Sequence, residues 1–412
     1  MSIHRQQRPD PTPFVAQAMQ EWRRYLEPLL TMPERIVPQM LHADDAQLRR
    51  ELYREMLSQL VPAYFGLLFA DPRHPDFWPF TTPCTAYAGA NPDHDYYITP
   101  LDDEGVYCIS GYRGTVRRID AQVGTGTFFS RGVQDENRLG LTLDNFDVDT
   151  LKIAADGFFS VVLSRQRPAA YDGDWWPLKE KARYLLMRQT AYDWEREADG
   201  RLAIERLDTP AARPRPDAAQ LEQDLQQLAV WAESWLQLSM NFVHQIRCDQ
   251  GINRIGYKDL REYGELLTQR YAYGGFELAP DEALLVEAKV PEQCRYWSIH
   301  LMDDQGFTLD WVNRHTHLNG HMAQVDADGV FRGVISAQDP GVPNWLDTMG
   351  YASGTVQVRW EQCSHWPEHA VTRIKLAALR ERLPATTPTV TLAERETILR
   401  ARRRGAQWRK RW

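Results

Sequence analysis

Cysteine is scarce and scattered: Cys84, Cys108, Cys248, Cys294 and Cys363 are five in number, with no Cys-x-x-Cys pair. That spacing argues against a disulfide framework and for a reduced, cytoplasmic chain. The opening MSIHRQQRPDPTPF lacks the apolar stretch of a secretory leader. No run approaches the roughly 18 apolar residues of a membrane span, so no membrane partner is expected. Three catalytic signatures are also missing: a Gly-x-Ser-x-Gly elbow, a Walker-type phosphate loop, and a Gly-rich dinucleotide fingerprint opening a helix. Gly124-Thr125-Gly126 lies between strand-like runs and does not supply one. Serine-hydrolase and nucleotide-dependent mechanisms are disfavoured, and no cofactor is expected.

What is present is length and aromatic mass. A chain of 412 residues exceeds one ordinary core, so two β-rich units with helical additions are expected. Its 14 Trp and 17 Tyr suit sandwich cores or the walls of apolar clefts.

Residues 1 to about 12 are polar and proline-punctuated, a composition expected to be mobile. Phe14, Met19, Trp22, Tyr25 and Leu29 then recur at helical spacing. Leu48, Leu52, Leu57, Leu60 and Tyr64 do so after the cap-like Asp44-Asp45, and both apolar faces are expected to pack on something larger. Asp71 to Pro83, dense in proline and aromatics, reads as an ordered strap. From Cys84 the pattern becomes short alternating runs bounded by Gly, Asp and Pro, which reads as an antiparallel β unit. Residues 208–216, DTPAARPRP, read as an extended linker. Asp217 can cap a long helix carrying Leu221, Leu225, Leu228, Trp235 and Phe242, and a second helical run is expected over 258–270. Strand patterning returns at Phe276, and a closing helix starts at the capping box Thr391 to Glu394.

The expected fold is therefore mainly β with an α insert: a β-sandwich plus a jelly-roll-like β domain, joined by a small helical domain, with helical extensions at both ends. The boundaries fall at 1–70, 71–208, 217–272, 273–376 and 377–412.

The densest stretch runs from Asp310 to Trp345. Val325 to Phe331 reads as strand, Asp328-Gly329 turn, strand, because Asp-Gly tolerates the positive φ a tight hairpin needs. Leu318-Asn319-Gly320-His321 carries a second turn signal. His315 and His317 would share one face of a strand. An internal echo accompanies it: Ala155-Asp156-Gly157-Phe158-Phe159, Asp174-Trp175-Trp176 and Met187-Arg188 return as Ala327-Asp328-Gly329-Val330-Phe331, Asn344-Trp345-Leu346 and Val358-Arg359 at nearly matching separations. Duplication and convergence of simple hairpin chemistry both account for it.

These residues also resemble a family. Asn91-Pro92-Asp93 with Tyr96-Tyr97, Gly111-Tyr112-Arg113-Gly114, Arg188-Gln189 with Asp193-Trp194, Arg314 to His321, and Asp339 to Thr348 are similar to bacterial proteins of the "domain of unknown function 1214" family, which often carry a related N-terminal companion domain. The resemblance implies a β-sandwich and a jelly-roll-like domain joined by helices, and no settled function. Where that family has Gln-Thr-Ser before the Leu-Asn-Gly turn, this chain has His315-Thr316-His317. A metal site built on those histidines would therefore not be a family-wide feature.

Two chemistries compete for the polar residues. His315, His317, His321 and His300 could supply imidazole ligands, with Asp310 a carboxylate, but no Glu follows at the spacing a jelly-roll metal motif uses and a turn separates His317 from His321. No metal is expected. Acid–base chemistry needs less: His321 or His300 near Asp310 would titrate close to neutrality, and Arg314 could hold an oxyanion. The candidate catalytic residues are thus His321, Asp310, Arg314 and His300. Candidate substrate-binding residues are Asp93, Tyr97, Arg113, Asp193, Trp297, Trp311, Asn319 and Trp345. Each has a plain structural alternative as turn residue, strand-end ion pair or core aromatic.

Charge is asymmetric. Residues 391–412 hold eight Arg or Lys against two Glu, a net +6 on a chain of −8, so the remainder carries −14. Docking of this basic helix on the protein's own acidic surface, or on a second subunit, is expected in preference to nucleic-acid binding. The functional expectation is a cytoplasmic enzyme of hydrolase, lyase or isomerase type acting on a small, partly apolar organic molecule in a cleft between the β units. A non-catalytic binding protein and a metal-dependent jelly-roll enzyme are the alternatives.

Overall fold

The computed structural model describes residues 12–86, 89–126, 140–259 and 266–409. The expected mobility of the first residues concerns positions that fall, from 1 to 11, outside the described ones.

Helices form one side of the molecule. α1 (Thr12–Ile36), α2 (Ala46–Ser58) and α3 (Leu60–Tyr64) pack on the long α4 (Ala218–Gln250). Asp45 caps α2 by accepting from the backbone N–H of Gln47 and Leu48, as the sequence signals. Met32, Ile36, Leu52 and Met56 meet Trp231, Trp235 and Leu236 in one apolar cluster.

The apolar stripe of α1 packs over only half its length. α1 runs parallel to α4, with Tyr25 bonded to Glu222, Arg35 to Glu233 and Gln39 to Gln237. That constant offset places Phe14 and Met19 ahead of the first turn of α4, where no partner helix exists. Both residues, and Trp22 beside them, are exposed.

The β region is two sandwiches. The first contains β1 (Trp78–Pro79), β2 (His94–Pro100), β3 (Tyr107–Tyr112), β4 (Arg118–Gly124), β5 (Thr142–Asp147), β6 (Phe158–Ser164), β7 (Asp174–Pro177), β8 (Tyr184–Thr190) and β9 (Arg201–Arg206). The second contains β10 (Gly256–Lys258), β11 (Gln269–Glu277), β12 (Glu282–Lys289), β13 (Cys294–Met302), β14 (His317–Asn319), β15 (Val330–Ser336), β16 (Trp345–Asp347), β17 (Ser353–Cys363) and β18 (His369–Lys375).

Their sheets have orders β1-β2-β8-β4-β5 with β7-β6-β3-β9, and β10-β11-β17-β13-β14 with β16-β15-β12-β18. Adding nine to every strand number of the first sandwich gives the second. The correspondence extends to detail: β6 with β7 and β15 with β16 are parallel pairs in otherwise antiparallel sheets. Ser164 Oγ donates to the Gln166 carbonyl as Ser336 Oγ does to that of Gln338, each at 2.8 Å. The echo in the sequence is thus a repeated sandwich, each with its own apolar core.

Two local expectations are corrected. The helical run expected over 258–270 is not formed at its ends, since Gly256–Lys258 and Gln269–Glu277 are paired strands, and residues 260–265 lie outside the described ones. The strand pairing wins because Tyr271 and Tyr273 bury side chains on one sheet face, a period-2 pattern that the charged residues before them obscure. Cys294 and Cys363, directly opposed across β13 and β17 with Cα atoms 4.0 Å apart, form a disulfide that their wide spacing in sequence does not reveal.

After α5 (Leu379–Arg382), the basic helix α6 (Leu392–Trp408) begins at a complete capping box between Thr391 and Glu394. It lies on its own chain. Arg395 pairs with Asp339 (2.8 Å) and Arg404 with Glu195, while Arg409 reaches Asp95 and Asp199, each at 3.4 Å. Gly405 permits the approach: a Cβ there would sit 3.0 Å from the Trp194 side chain.

Candidate functional site

Each sandwich has an inner sheet buried on both faces. In the first, Tyr97, Met187, Leu185, Ile119 and Ala121 point into the apolar core. Side chains alternate along a strand, so His94 and Tyr96 of β2, Thr190 and Arg188 of β8, and Arg118 and Asp120 of β4 must point the other way. In the second, Ala272, Val358, Trp360, Trp297, Ile299 and Leu318 fill the core. Tyr271 and Tyr273 of β11, Arg359 and Gln357 of β17, Tyr296 and His300 of β13, and His317 and Asn319 of β14 therefore share the opposite face.

The two polar faces look at each other. Arg118 from the first pairs with Glu361 from the second, and Arg295 from the second pairs with Asp147 from the first at 2.6 Å. The His94 and Tyr296 rings lie 5.7 Å apart. A seam of buried polar side chains thus runs between two apolar cores.

At one end of the seam Asp93 is the centre. It is fully buried and accepts four hydrogen bonds: Trp194 Nε1 (2.8 Å) and Asn319 Nδ2 (2.7 Å) donate to Oδ1, and the Tyr296 hydroxyl (2.7 Å) and His317 Nε2 (2.9 Å) donate to Oδ2. Burial raises the pKa of this carboxyl, but His317, Tyr296 and Asn319 more than reverse that and hold it below its ordinary value. On the far side of His317, Arg402 donates to Nδ1 at 3.1 Å. A guanidinium has no acceptor, so Nδ1 carries no proton, and His317 is the neutral tautomer protonated on Nε2. Burial lowers its pKa, in keeping with that assignment. Trp194 stacks on His317 (5.6 Å, 6°), and Arg402 lies over the same indole at 4.7 Å. The Arg402–His317–Asp93 chain joins α6, the second sandwich and the first.

Farther along stand two more neutral imidazoles. His94 bonds Asn91 and the Tyr96 hydroxyl, each at 3.1 Å, and His300 Nδ1 accepts from Arg359 at 2.9 Å. Both pKa values are pushed well below that of a free histidine, by burial first. Arg359 follows in each case, with Arg188 and Arg409 also acting on His94. Several buried polar atoms on these two faces, among them Arg188 Nη1, Thr190 Oγ1, Gln269 Oε1 and Thr355 Oγ1, have no hydrogen-bond partner among the described residues. A cavity of about 20 Å³, room for one water, adjoins Asn91, His94, Tyr96 and Arg409.

The residues named from the sequence divide. Asp93, Asn319 and His300 converge on the seam. Trp311 borders the small cavity and accepts from Arg402 through its carbonyl. The remainder are elsewhere. Asp310 accepts from the backbone of Val312 and Asn313 as a turn cap. Arg314 pairs with Asp347 at 2.7 Å, and His321, half exposed, faces Asp193 at 3.5 Å. Those three partners are all different, so Asp310, Arg314 and His321 do not form one cluster.

Tyr97 lies in the first core, its hydroxyl pKa raised by burial and then by Asp95. Arg113 is tied to Asp149. Trp297 stacks on Trp360 in the second core, and Trp345 stacks on His315 while donating to the Ser336 carbonyl. The reading by sequence missed His94, Tyr296, His317 as a proton donor, Arg402 and Arg409. His94 next to Asp93 in the Asn-Pro-Asp-His run was the available signal. The arginines of α6 carried none beyond their charge. Among the described residues, no group of three or more His, Cys, Asp or Glu side chains is arranged to hold a metal ion. No helix among them is long and apolar enough to cross a membrane.

Residues 277–360, the body of the second sandwich, match the family model described as a protein of unknown function, DUF1214. Over that span the chain is similar to the DUF1214 family. The model's span contains His300, His317, Asn319 and Arg359, so half of the seam falls within it and the other half within the repeat that precedes it. A crystal structure of an uncharacterised protein from Burkholderia cenocepacia is similar over 88% of this chain and 98% of its own, at 27% identity and a TM-score of 0.78. The VPA0106 protein from Vibrio parahaemolyticus is a more distant match, 14% identical with a TM-score of 0.43, covering 78% of this chain and 98% of its own. No curated protein matches.

Proposed function

We propose that this protein binds a small organic molecule in the seam between its two inner sheets, which must part to admit more than the one water its cavity holds, and acts on it by proton transfer, in the manner of a hydrolase, lyase or isomerase. The observation that carries the reading is the facing of two polar sheet surfaces whose buried groups are not all satisfied by the protein. A buried polar atom left unpaired costs about 1–3 kcal/mol, so a seam that carries several along its length is suited to receive something polar. We assign the proton chemistry to His94 and His300, which sit beside the unpaired groups; burial and Arg359 hold both neutral and make them weak bases until a bound anion offsets the arginine charge.

A non-catalytic binding role is the second reading. It draws on the closed Arg402–His317–Asp93 chain, in which each polar group already has a protein partner and no open coordination remains. Nucleic acid is no part of either reading, because Arg395, Arg402, Arg404 and Arg409 are engaged with the protein itself. The free thiols of Cys84, Cys108 and Cys248 support a cytoplasmic location, and the Cys294–Cys363 disulfide counts against it.

The deciding experiment is a thermal-shift screen for ligands, followed by mass spectrometry of each hit after incubation with wild type and with His300→Gln. A product formed by the wild type and reduced about 10²-fold or more in the variant supports catalysis. A ligand recovered unchanged across pH moves the assignment to binding.

A further inference from the structure

Among the buried arginines of this protein, most are matched to acids. Arg118 pairs with Asp120 and Glu361, Arg395 with Asp339, Arg409 with Asp95 and Asp199, and Arg402 reaches Asp93 through His317. Arg188 and Arg359 differ. Each is at least nine-tenths buried, and neither forms an ion pair with a carboxylate of the described residues. Arg359 donates to His300 Nδ1 and to the carbonyl of Gly89, both uncharged. Arg188 Nη1 has no hydrogen-bond partner among the described residues, and Asp120, its register neighbour on β4, acts on it through space while pairing with Arg118.

The two are also counterparts. Arg188 lies on β8 opposite Tyr96 of β2, and Arg359 on β17 opposite Tyr271 of β11, which are corresponding strands of the repeated sandwich. Each guanidinium stands over the ring of its tyrosine at the same distance, 5.7 Å. The repeat therefore delivers one tyrosine-backed guanidinium to the seam from each side. His94 feels both arginines, and Arg359 crosses the seam to reach Gly89 of the first sandwich.

Resting on the seam as the binding place, we infer that Arg188 and Arg359 form a two-sided clamp for the carboxylate of a small organic acid. A buried guanidinium with no carboxylate in direct contact is costly, and a planar carboxylate matches its fork with two parallel hydrogen bonds. An organic anion fits better than a bare inorganic one because Tyr96 and Tyr296 flank His94 with ring surface and Tyr271 backs Arg359. The neutral histidines add no competing positive charge and leave the anion to the arginines.

The test uses the full chain and three probes: benzoate, its uncharged analogue benzamide, and inorganic phosphate. Binding is measured by calorimetry on wild type, Arg188→Gln, Arg359→Gln, Arg188→Lys and, as a surface control, Arg404→Gln. Benzoate is expected to bind at least tenfold more tightly than benzamide, to weaken at least tenfold in either glutamine variant, to weaken less in Arg188→Lys, and to be unaffected in Arg404→Gln. Equal binding of benzoate and benzamide, with no loss in the arginine variants, overturns the clamp while leaving the seam as a binding place. Tight phosphate with weak benzoate overturns the carboxylate assignment. No binding of any probe at tens of millimolar overturns the clamp outright. If a glutamine variant does not fold, as judged by circular dichroism, the benzoate–benzamide contrast on wild type decides.

Discussion

Arg188 and Arg359 occupy the same place in two copies of one sandwich, each on the central strand of an inner sheet and each over a tyrosine of the neighbouring strand at 5.7 Å. Their hydrogen bonding is unequal, and stability in the absence of ligand should show it. Arg359→Met strips the Gly89 carbonyl and His300 Nδ1 of their donor and is expected to cost about 1–3 kcal/mol for the acceptors left unpaired. Arg188→Met removes a buried charge that orphans no acceptor, so it should be neutral or stabilising by up to about 1 kcal/mol. Urea denaturation of the two variants checks this. A loss above about 3 kcal/mol for Arg188→Met would show that the guanidinium is a structural tie.

The Asp93 cluster behaves in the opposite way, because every member is bonded. His317→Ala removes the donor to one carboxylate oxygen and the acceptor for Arg402 together, leaving two buried charges uncompensated. The expected cost is about 3–5 kcal/mol, read as a shift of the urea midpoint with an unchanged slope. Asn319→Ala, which leaves His317 and Tyr296 in place, should cost less, about 1–3 kcal/mol.

Acid should unfold the protein partly through His94. Its folded pKa is depressed by burial and by Arg359 and Arg188, so below the ordinary histidine value near 6.5 the unfolded chain takes up a proton that the folded chain refuses. Stability contributed this way is present above pH 6.5 and declines as pH falls toward the folded value. Asp120, raised by burial to about 7, acts with the other sign: between about pH 4 and 7 the folded state holds the extra proton, and stability falls as pH rises. His94→Gln should flatten the acid limb by up to about 1.4 kcal/mol per pH unit between pH 6.5 and 4.5. An unchanged limb would mean that His94 is protonated in the fold.

Much of the fold was legible because it rests on local rules. Asp45 and Thr391 cap helices where their spacing says they should, and Gly329 takes positive φ (74°) at the tip of the Val325 to Phe331 hairpin. The repeat was visible in Asp-Gly turns and strand-end tryptophans, because those residues serve the same bonds in each copy. The site was less legible, since it depends on which faces of two distant sheets meet. His321 after Asn319-Gly320 resembles a presented catalytic side chain, yet the residue that matters is His317, three positions before the glycine and two before Asn319, and its ring points inward to Asp93. Strand periodicity puts His317 and Asn319 on one face but cannot say that a carboxylate more than two hundred residues away closes on them. Arg402 and Arg409 read as surface charge, and only the docking of α6 turns them into buried partners.

That docking gives the last prediction. α6 and its C-cap hold four arginines against the body, and three of them end inside it: Arg395 at Asp339 and the Val342 carbonyl, Arg402 at His317 and the Trp311 carbonyl, Arg409 at Asp95, Asp199 and the Gln189 carbonyl. Desolvation lowers the Arg402 pKa to about 10, still far above neutrality, so it enters the cluster as a cation. Close approach depends on Gly405, where a side chain would meet Trp194. Gly405→Leu must therefore lift the helix or move Trp194, the indole that donates to Asp93 and stacks on His317. The variant should lose at least about 2–4 kcal/mol, several degrees in melting temperature for a protein of this size, and Trp194 fluorescence should shift toward that of a hydrated indole. Truncation after residue 390 should do the same more severely, since it leaves Asp93, Asp95, Asp199 and Asp339 without their arginines. If both variants melt as the wild type does, α6 is not a part of the folded unit, and the Arg402–His317–Asp93 chain loses its place in the site.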